Sequence, residues 1–260
     1  MPLTQTQIDE VADVLRKSLR FKLTTYNPEP NNMPFHTRLL GSDRLALYSF
    51  IHSLSTNFGT AIFEHVAAAL ARPLHKRVET QAIAGEAISE DAYIEIHKIM
   101  NELTTAVGEP DKGAETERLR LTSHSGAMTK VSLTRVDVLI ETHTDEIFMF
   151  DLKTAKPNKS GFQGYKQMLL EWTAAALASA PEANITAAIA IPYNPYEPKP
   201  YSRWTMRGML DVKPASQLFV GKEFWDFIGG EGAYEQLLDV FEAVGIELRS
   251  EIDARFAEFK

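Results

Sequence analysis

Apolar residues first recur at helical spacing at Ile8, Val11, Leu15 and Leu19, which predicts an amphipathic helix ending before the three prolines between Tyr26 and Pro34. Ser42 or Asp43 can cap a second helix through Leu45, Phe50 and Leu54. A break at Ser55-Thr56-Asn57 precedes a third, from about Gly59 to Ala71, that Pro73 stops. Ser89 to about Val107 forms a fourth, with Tyr93, Ile96, Met100 and Leu103 on one face. The period then shortens. Val131 to Glu141 is rich in β-branched residues, Glu146 to Lys153 is another strand-like run, and Thr142 to Asp145 between them supplies turn residues, so a β-hairpin is predicted. Tyr165 to Ala180 reads as a helix, Ile185 to Ile191 as a buried strand and Tyr193 to Tyr201 as an ordered Pro/Tyr loop. Gly229-Gly230 reads as a helix end, and from Gly232 onward a long helix or helix pair buries Leu237, Val240, Phe241, Val244, Leu248 and Ile252. This order predicts an α/β fold with a mixed sheet, and the lack of repeats or long linkers predicts one domain.

At 260 residues, 44% hydrophobic and 24% charged, the chain has the composition of a globular protein and not of a disordered one. Its longest apolar stretches, Ala67 to Ala71 and Ile185 to Ile191, fall far short of the roughly 20 residues that cross a bilayer. With no cysteine, there is no disulfide, thiolate zinc site or Cys nucleophile, and the N-terminus shows no secretory pattern, so a cytoplasmic protein is expected. The net charge of −8 argues at face value against a polyanionic partner. Its distribution shows that argument to be too coarse. Arg118 to Val136, Lys153 to Leu170 and Pro198 to Leu210 contain no acid and hold 11 of the 27 Lys and Arg, leaving 16 basic against 35 acidic residues elsewhere. Such segregation suits a cleft for a phosphate backbone on an otherwise acidic molecule.

The hairpin carries the candidate chemistry. A three-residue turn makes Thr142 face Glu146 and sets Asp137 opposite Asp151; a two-residue turn shifts the pairing by one and still leaves the two acids close. Alternation puts Asp151 and Lys153 on one face, with Leu152 directed to the core. Facing carboxylates in an apolar hairpin repel unless a cation lies between them, and oxygen ligands of this kind suit Mg²⁺. A lysine alongside can orient an attacking water and offset charge developing on phosphorus, so the spacing predicts metal-assisted phosphodiester hydrolysis. Acid-x-Lys also occurs at Glu197-Pro-Lys199 and Asp211-Val-Lys213, but only Asp151 ends a hydrophobic strand with an acid about 14 residues upstream. The competing reading is a surface Asp151–Lys153 pair with Asp137 bridged to Arg135 or Lys130. Other chemistries lack their patterns: the seven histidines form no HExxH or HNH arrangement, and no GxGxxG, Walker or GxSxG motif occurs.

A basic loop, Lys153-Thr-Ala-Lys156-Pro-Asn158-Lys159, follows and leads into Gly164-Tyr-Lys166-Gln167-Met-Leu-Leu-Glu-Trp172. Asp137 followed by Asp151-Leu-Lys153 resembles the motif of PD-(D/E)XK nucleases, with Val136 in place of the proline. The Lys-Thr-Ala-Lys-Pro-Asn run, the Leu-Leu-Glu-Trp helix, Ile191-Pro-Tyr-Asn-Pro-Tyr196 and Phe224-Trp225 further resemble TdeIII-like type II restriction endonucleases, over about residues 50 to 245. The resemblance implies a restriction-endonuclease-like core in one domain of residues 1–260, with helical elaborations at about 1–110 and 222–260. It implies Mg²⁺ held by Asp137, Asp151 and the Leu152 carbonyl, with Lys153 positioning the nucleophilic water. Ser55 to Glu64 is similar to the helix from which such nucleases bring another acid, which makes Glu64 the further catalytic and metal candidate. Lys156, Lys159 and Lys166 are candidate phosphate contacts, and Asn158, Gln163 and Arg203 candidate base readers. Tyr193, Asn194, Tyr201, Trp204 and Arg207 form a segment mixing aromatics with cations. The implied partner is double-stranded DNA, cut in a prokaryotic cytoplasm by a homodimer joined through its terminal helices. Two alternatives stay open: a structure-selective repair or recombination nuclease of the same fold, and a DNA-binding module without catalysis.

Overall fold

The computed structural model describes residues 2–26, 33–58, 62–157, 161–203 and 206–257. Its centre is a five-stranded mixed sheet in the order β1 (Arg77–Ala82), β4 (Val136–Glu141), β5 (Glu146–Leu152), β6 (Asn184–Ile191), β7 (Leu218–Val220). The β1–β4 and β4–β5 pairs are antiparallel, and β5–β6 and β6–β7 are parallel. A second, two-stranded sheet pairs β2 (Ala87–Ser89) with β3 (Met128–Lys130).

Strand alternation builds two cores. Val138, Ile140, Phe148, Phe150, Leu152, Ala188 and Ala190 pack on one face against α1 (Gln5–Thr25), α4 (Phe63–Ala71), α8 (Lys222–Gly229) and α9 (Ala233–Glu247). Leu139, Met149, Ala187 and Ile189 pack on the other against α5 (Glu90–Thr104), α6 (Lys112–Thr122) and α7 (Gly161–Ser179). This is the expected α/β architecture, consistent with a restriction-endonuclease-like fold.

The helix that carries Glu64 is fixed from several sides. Ala67 to Ala71 of α4 are all buried, the small side chains letting neighbouring elements approach its axis. At its end the buried Gln7 Nε2 donates 2.8 Å to the Leu70 carbonyl, which the helix itself leaves unpaired. Gln7 also closes a capping box with Thr4 at the start of α1. Gly230 then ends α8 at φ 94°, as its Gly-Gly pair predicts.

Several expectations are corrected. The N-terminal elaboration is not wholly helical, because β1 and β2 lie within it. Residues 131–135 are not strand: the chain there crosses from the small sheet to the large one, and Trp172 Nε1 donates to the Thr134 carbonyl. The third helix is described only from Ile62 on, and Gly59 lies outside the described residues. The terminal helices bury Val11 and Leu15 of α1 within the chain, and ion pairs Arg16–Glu247 and Arg20–Glu251 tie α1 to α9 and α10 (Arg249–Ala257), while Phe21 of α1 and Leu238 and Ile246 of α9 stay exposed. Further exposed apolar side chains lie on α2 (Pro34–Leu40) and α3 (Ser42–Asn57), at Phe35, Leu39, Leu47, Tyr48 and Ile51.

Candidate active site

The turn between β4 and β5 sets the register of the site. The Thr142 N–H donates 2.9 Å to the Glu146 carbonyl, and Asp145 takes a left-handed φ of 60°, which closes a three-residue hairpin loop. Val138 then pairs with Phe150, so Asp137 stands opposite Asp151 at the open end of the hairpin. The Leu152 N–H donates 2.7 Å to Asp137 Oδ2. Lys153 Nζ lies 2.7 Å from both oxygens of Asp151 and donates to Oδ1, leaving Oδ2 without a hydrogen bond of its own. The Lys153 ammonium also lies 5.1 Å from the centroid of the Tyr165 ring, on the first turns of α7. Asp137 is bridged to neither Arg135 nor Lys130 among the described residues; Arg135 donates to the Gln81 carbonyl, and Lys130 is exposed on β3.

Glu64, on the first turn of α4, joins this group through a residue that the sequence gives no reason to single out. Gln81 Nε2 donates 2.9 Å to Glu64 Oε2 and 3.3 Å to Asp137 Oδ1. The other oxygen of the buried Glu64, Oε1, has no hydrogen-bond partner. Burial pushes all three carboxyls above the usual carboxylate range. The Gln81 hydrogen bond opposes this at Glu64 and the Asp137 charge adds to it; the Leu152 N–H opposes it at Asp137; Lys153 opposes it at Asp151. Three desolvated carboxyls, with the buried Glu64 Oε1 lacking a hydrogen-bond partner, form an environment that a divalent cation relieves. Among the described residues no group of three or more His, Cys, Asp or Glu side chains is arranged to hold a metal ion.

Residues 3–245 match the family described as Type II restriction endonuclease, HinfI. The chain belongs to this family. HinfI-family membership makes it a site-specific deoxyribonuclease, and the alternative of a binding module without catalysis falls away. The broader resemblance to type II restriction endonucleases holds, whereas the match supports the HinfI family and not the TdeIII-like group. The chain is 26% identical to the type II restriction enzyme MjaII of Methanocaldococcus jannaschii, over 94% of this chain and 72% of that one. It is 24% identical to HgiBI and 26% identical to HgiCII, type II restriction enzymes of Herpetosiphon aurantiacus; these alignments cover 86% and 84% of this chain and 81% and 80% of the relatives.

In this HinfI-family chain the candidate DNA contacts divide sharply. Lys156 and Gln163 are exposed just beyond the site, and Arg207 is exposed on the later loop. Lys166 is corrected: it is fully buried, donating 2.5 Å to Glu115 Oε2 and 2.8 Å to Gln217 Oε1, and cannot reach a phosphate. Its spacing from Phe162, Leu169 and Leu170 on α7 is the signal that places it on the buried stripe. Arg203 is spent within the fold, donating 2.9 Å to the Tyr196 hydroxyl and 2.8 Å to the Pro157 carbonyl. Tyr201 donates to the Ala155 carbonyl, and Asn194 donates to the Lys199 carbonyl, so the Pro/Tyr segment braces the loop after Lys153. Tyr193 is exposed. Asn158, Lys159 and Trp204 lie outside the described residues.

Proposed function

We propose that this endonuclease hydrolyses phosphodiester bonds of double-stranded DNA in a Mg²⁺-dependent reaction at the Asp137–Asp151–Lys153 site. The carrying observation is the pairing of Lys153 with Asp151 directly across the hairpin from Asp137. Asp137, Asp151, the Leu152 carbonyl and Glu64 would hold the ion, which supplies charge neutralisation at the scissile phosphate and a more acidic water. The chain's own part follows from the geometry. Asp151 and the Tyr165 ring fix the Lys153 ammonium, so its Nζ can hold the attacking water and face a phosphate oxygen as negative charge builds there. Leu152, through its N–H, keeps Asp137 turned toward the same point.

Lys156, Asn158, Lys159, Gln163 and Arg207 are the DNA contacts of this reading, lysines to phosphate and the others to base edges or phosphate. The chain works as one domain of residues 1–260 in the cytoplasm. It acts as a homodimer, because two sites related by a twofold cut both strands of a palindrome, and the exposed apolar face of α2 and α3 is the surface that supports pairing with a second copy.

Incubation of the purified protein with phage-sized DNA, in Mg²⁺ or in EDTA, tests the reading. Discrete fragments are expected with Mg²⁺ only, none from the Lys153→Ala variant, and two protein copies per duplex in sedimentation. A smear would indicate cutting by structure, and fragments of equal yield from Lys153→Ala would remove that residue from the chemistry.

A further inference from the structure

Gln81 stands in β1, its neighbours Thr80 and Ala82 paired with Val138 and Val136, so it sits directly opposite Asp137. Its φ is 53°, a left-handed conformation that side chains other than glycine adopt only at a cost. Nothing in the hairpin or turn chemistry requires it, since β1 continues in the same register on either side. Backbone held in this region is kept where the surroundings over-determine it, and here the result is that one amide reaches two acids. Carboxylates only accept, so the nitrogen end of the amide must face them, at 2.9 Å from Glu64 and 3.3 Å from Asp137. Arg135 donates to the carbonyl of the same residue and adds a hold on its backbone.

We propose that Gln81 is a positioning residue: it gathers Glu64 and Asp137 on one point before the divalent ion arrives, and so sets how tightly the site takes up that ion. The inference rests on the reading of Glu64, Asp137 and Asp151 as the metal-holding acids. Two carboxylates close together repel and, left alone, turn apart; a shared N–H₂ donor offsets the repulsion and holds the two side chains together, while the other Asp137 oxygen accepts the Leu152 N–H. Glu64 Oε1 is buried and unpaired in that arrangement, the state of a ligand atom held ready. Groups that orient metal ligands without touching the metal typically change affinity by about 10–100-fold when removed. The Gln81 side chain is itself exposed, at the mouth of the site, so its removal leaves no hole in the core.

The test is Mn²⁺ binding to the full-length protein, followed by the electron paramagnetic resonance of the free ion, for the unaltered chain and for Gln81→Gly, Gln81→Ala and Asp137→Asn. Glycine accepts the left-handed backbone, so Gln81→Gly removes the amide without a folding penalty at that position; thermal unfolding in EDTA checks this. Gln81→Gly and Gln81→Ala are both expected to weaken Mn²⁺ binding by about tenfold. The Mg²⁺ concentration for half-maximal DNA cleavage should rise by the same factor, with the maximal rate little changed. Mn²⁺ binding by Gln81→Gly as tight as that of the unaltered protein overturns the proposal, as does a fall in maximal rate with no change in Mn²⁺ affinity. If Asp137→Asn also retains full Mn²⁺ binding, it is the assignment of the metal-holding acids that fails.

Discussion

Asp137 accepts hydrogen bonds from Leu152 and Gln81, yet its carboxyl remains above the usual range because burial outweighs both donors, and Glu64 and Asp151 share that bias. Each folded-state pKa lies above its unfolded value, so each group favours folding while protonated. That contribution is fully present below the unfolded carboxylate pKa of about 4 and is lost as pH rises through the higher folded values. Without metal the protein should therefore lose stability on going from mildly acid to neutral pH, and Mg²⁺ should restore it by binding the ionised form. Asp137→Asn removes one such charge and keeps an oxygen for the Leu152 N–H. Its expected outcome is double: a higher melting temperature than the unaltered protein in EDTA at pH 8, and cleavage reduced by about three orders of magnitude or more, since several kcal/mol of charge stabilisation leave with the ligand. Thermal scans at pH 5 and pH 8 check the first, and fragment yield in Mg²⁺ checks the second. A lower melting point for the variant at pH 8 would mean that the Asp137 carboxylate is stabilising after all.

Between elements, the buried Lys166 of α7 joins Glu115 of α6 to Gln217 beside β7, and the Gln217 oxygen also accepts from the Asp211 N–H. Burial pushes Lys166 down and Glu115 up, and their mutual attraction opposes both shifts. Removing one partner of such a pair costs about 3–5 kcal/mol, whereas replacing both with apolar groups is often neutral. Lys166→Met should thus lower urea stability by about that much, and Lys166→Met with Glu115→Leu should recover most of it. The double variant should bind DNA as the unaltered protein does, which a phosphate-contacting lysine would not allow. This cluster also marks what periodicity reveals. Long elements with a clear apolar stripe, such as α1, α5 and β6, are legible, and so is the hairpin, but its register is not, because the turn residues allow a two- or a three-residue loop and only the Thr142–Glu146 bond decides between them. Edge strand β1, Arg-Val-Glu-Thr-Gln-Ala, was not, since its outward positions are charged or polar and its inward ones small. Helix α6 escaped because its face toward the core is built on Leu119 and the paired Glu115, a pattern that looks solvated until the partner on α7 is known. Likewise Asp137, Asp151 and Lys153 announce themselves by strand position, while the role of Gln81 depends on a backbone angle that no residue pattern encodes.

Across the whole molecule, the segregation of charge along the chain is partly undone by folding. Arg118 is taken up by Glu95 and Glu102, Arg120 by Glu117 and the Ala183 carbonyl, and Lys166 by Glu115. These three contribute little to any field that DNA meets. Arg135, exposed beside the site, and Lys156, exposed on the loop after it, are differently placed, as is Arg207. Lys156 lies 5.8 Å from the Tyr196 ring centroid, and Tyr196 accepts from Arg203, so its loop has a defined support. Each phosphate neutralised by a cation releases counterions and adds about 0.9 to the slope of log affinity against log salt. Lys156→Ala and Arg207→Ala should therefore each flatten that slope by about one, and the pair together by about two, whereas Arg118→Ala should leave it unchanged. Fluorescence anisotropy with a labelled duplex, in Ca²⁺ to prevent cutting and between 50 and 200 mM salt, measures the slopes. An equal loss of slope from Arg118→Ala would mean that the ion pairs of α5 and α6 open on DNA, and that the acid-free windows of the sequence describe the binding surface better than the folded charge map does.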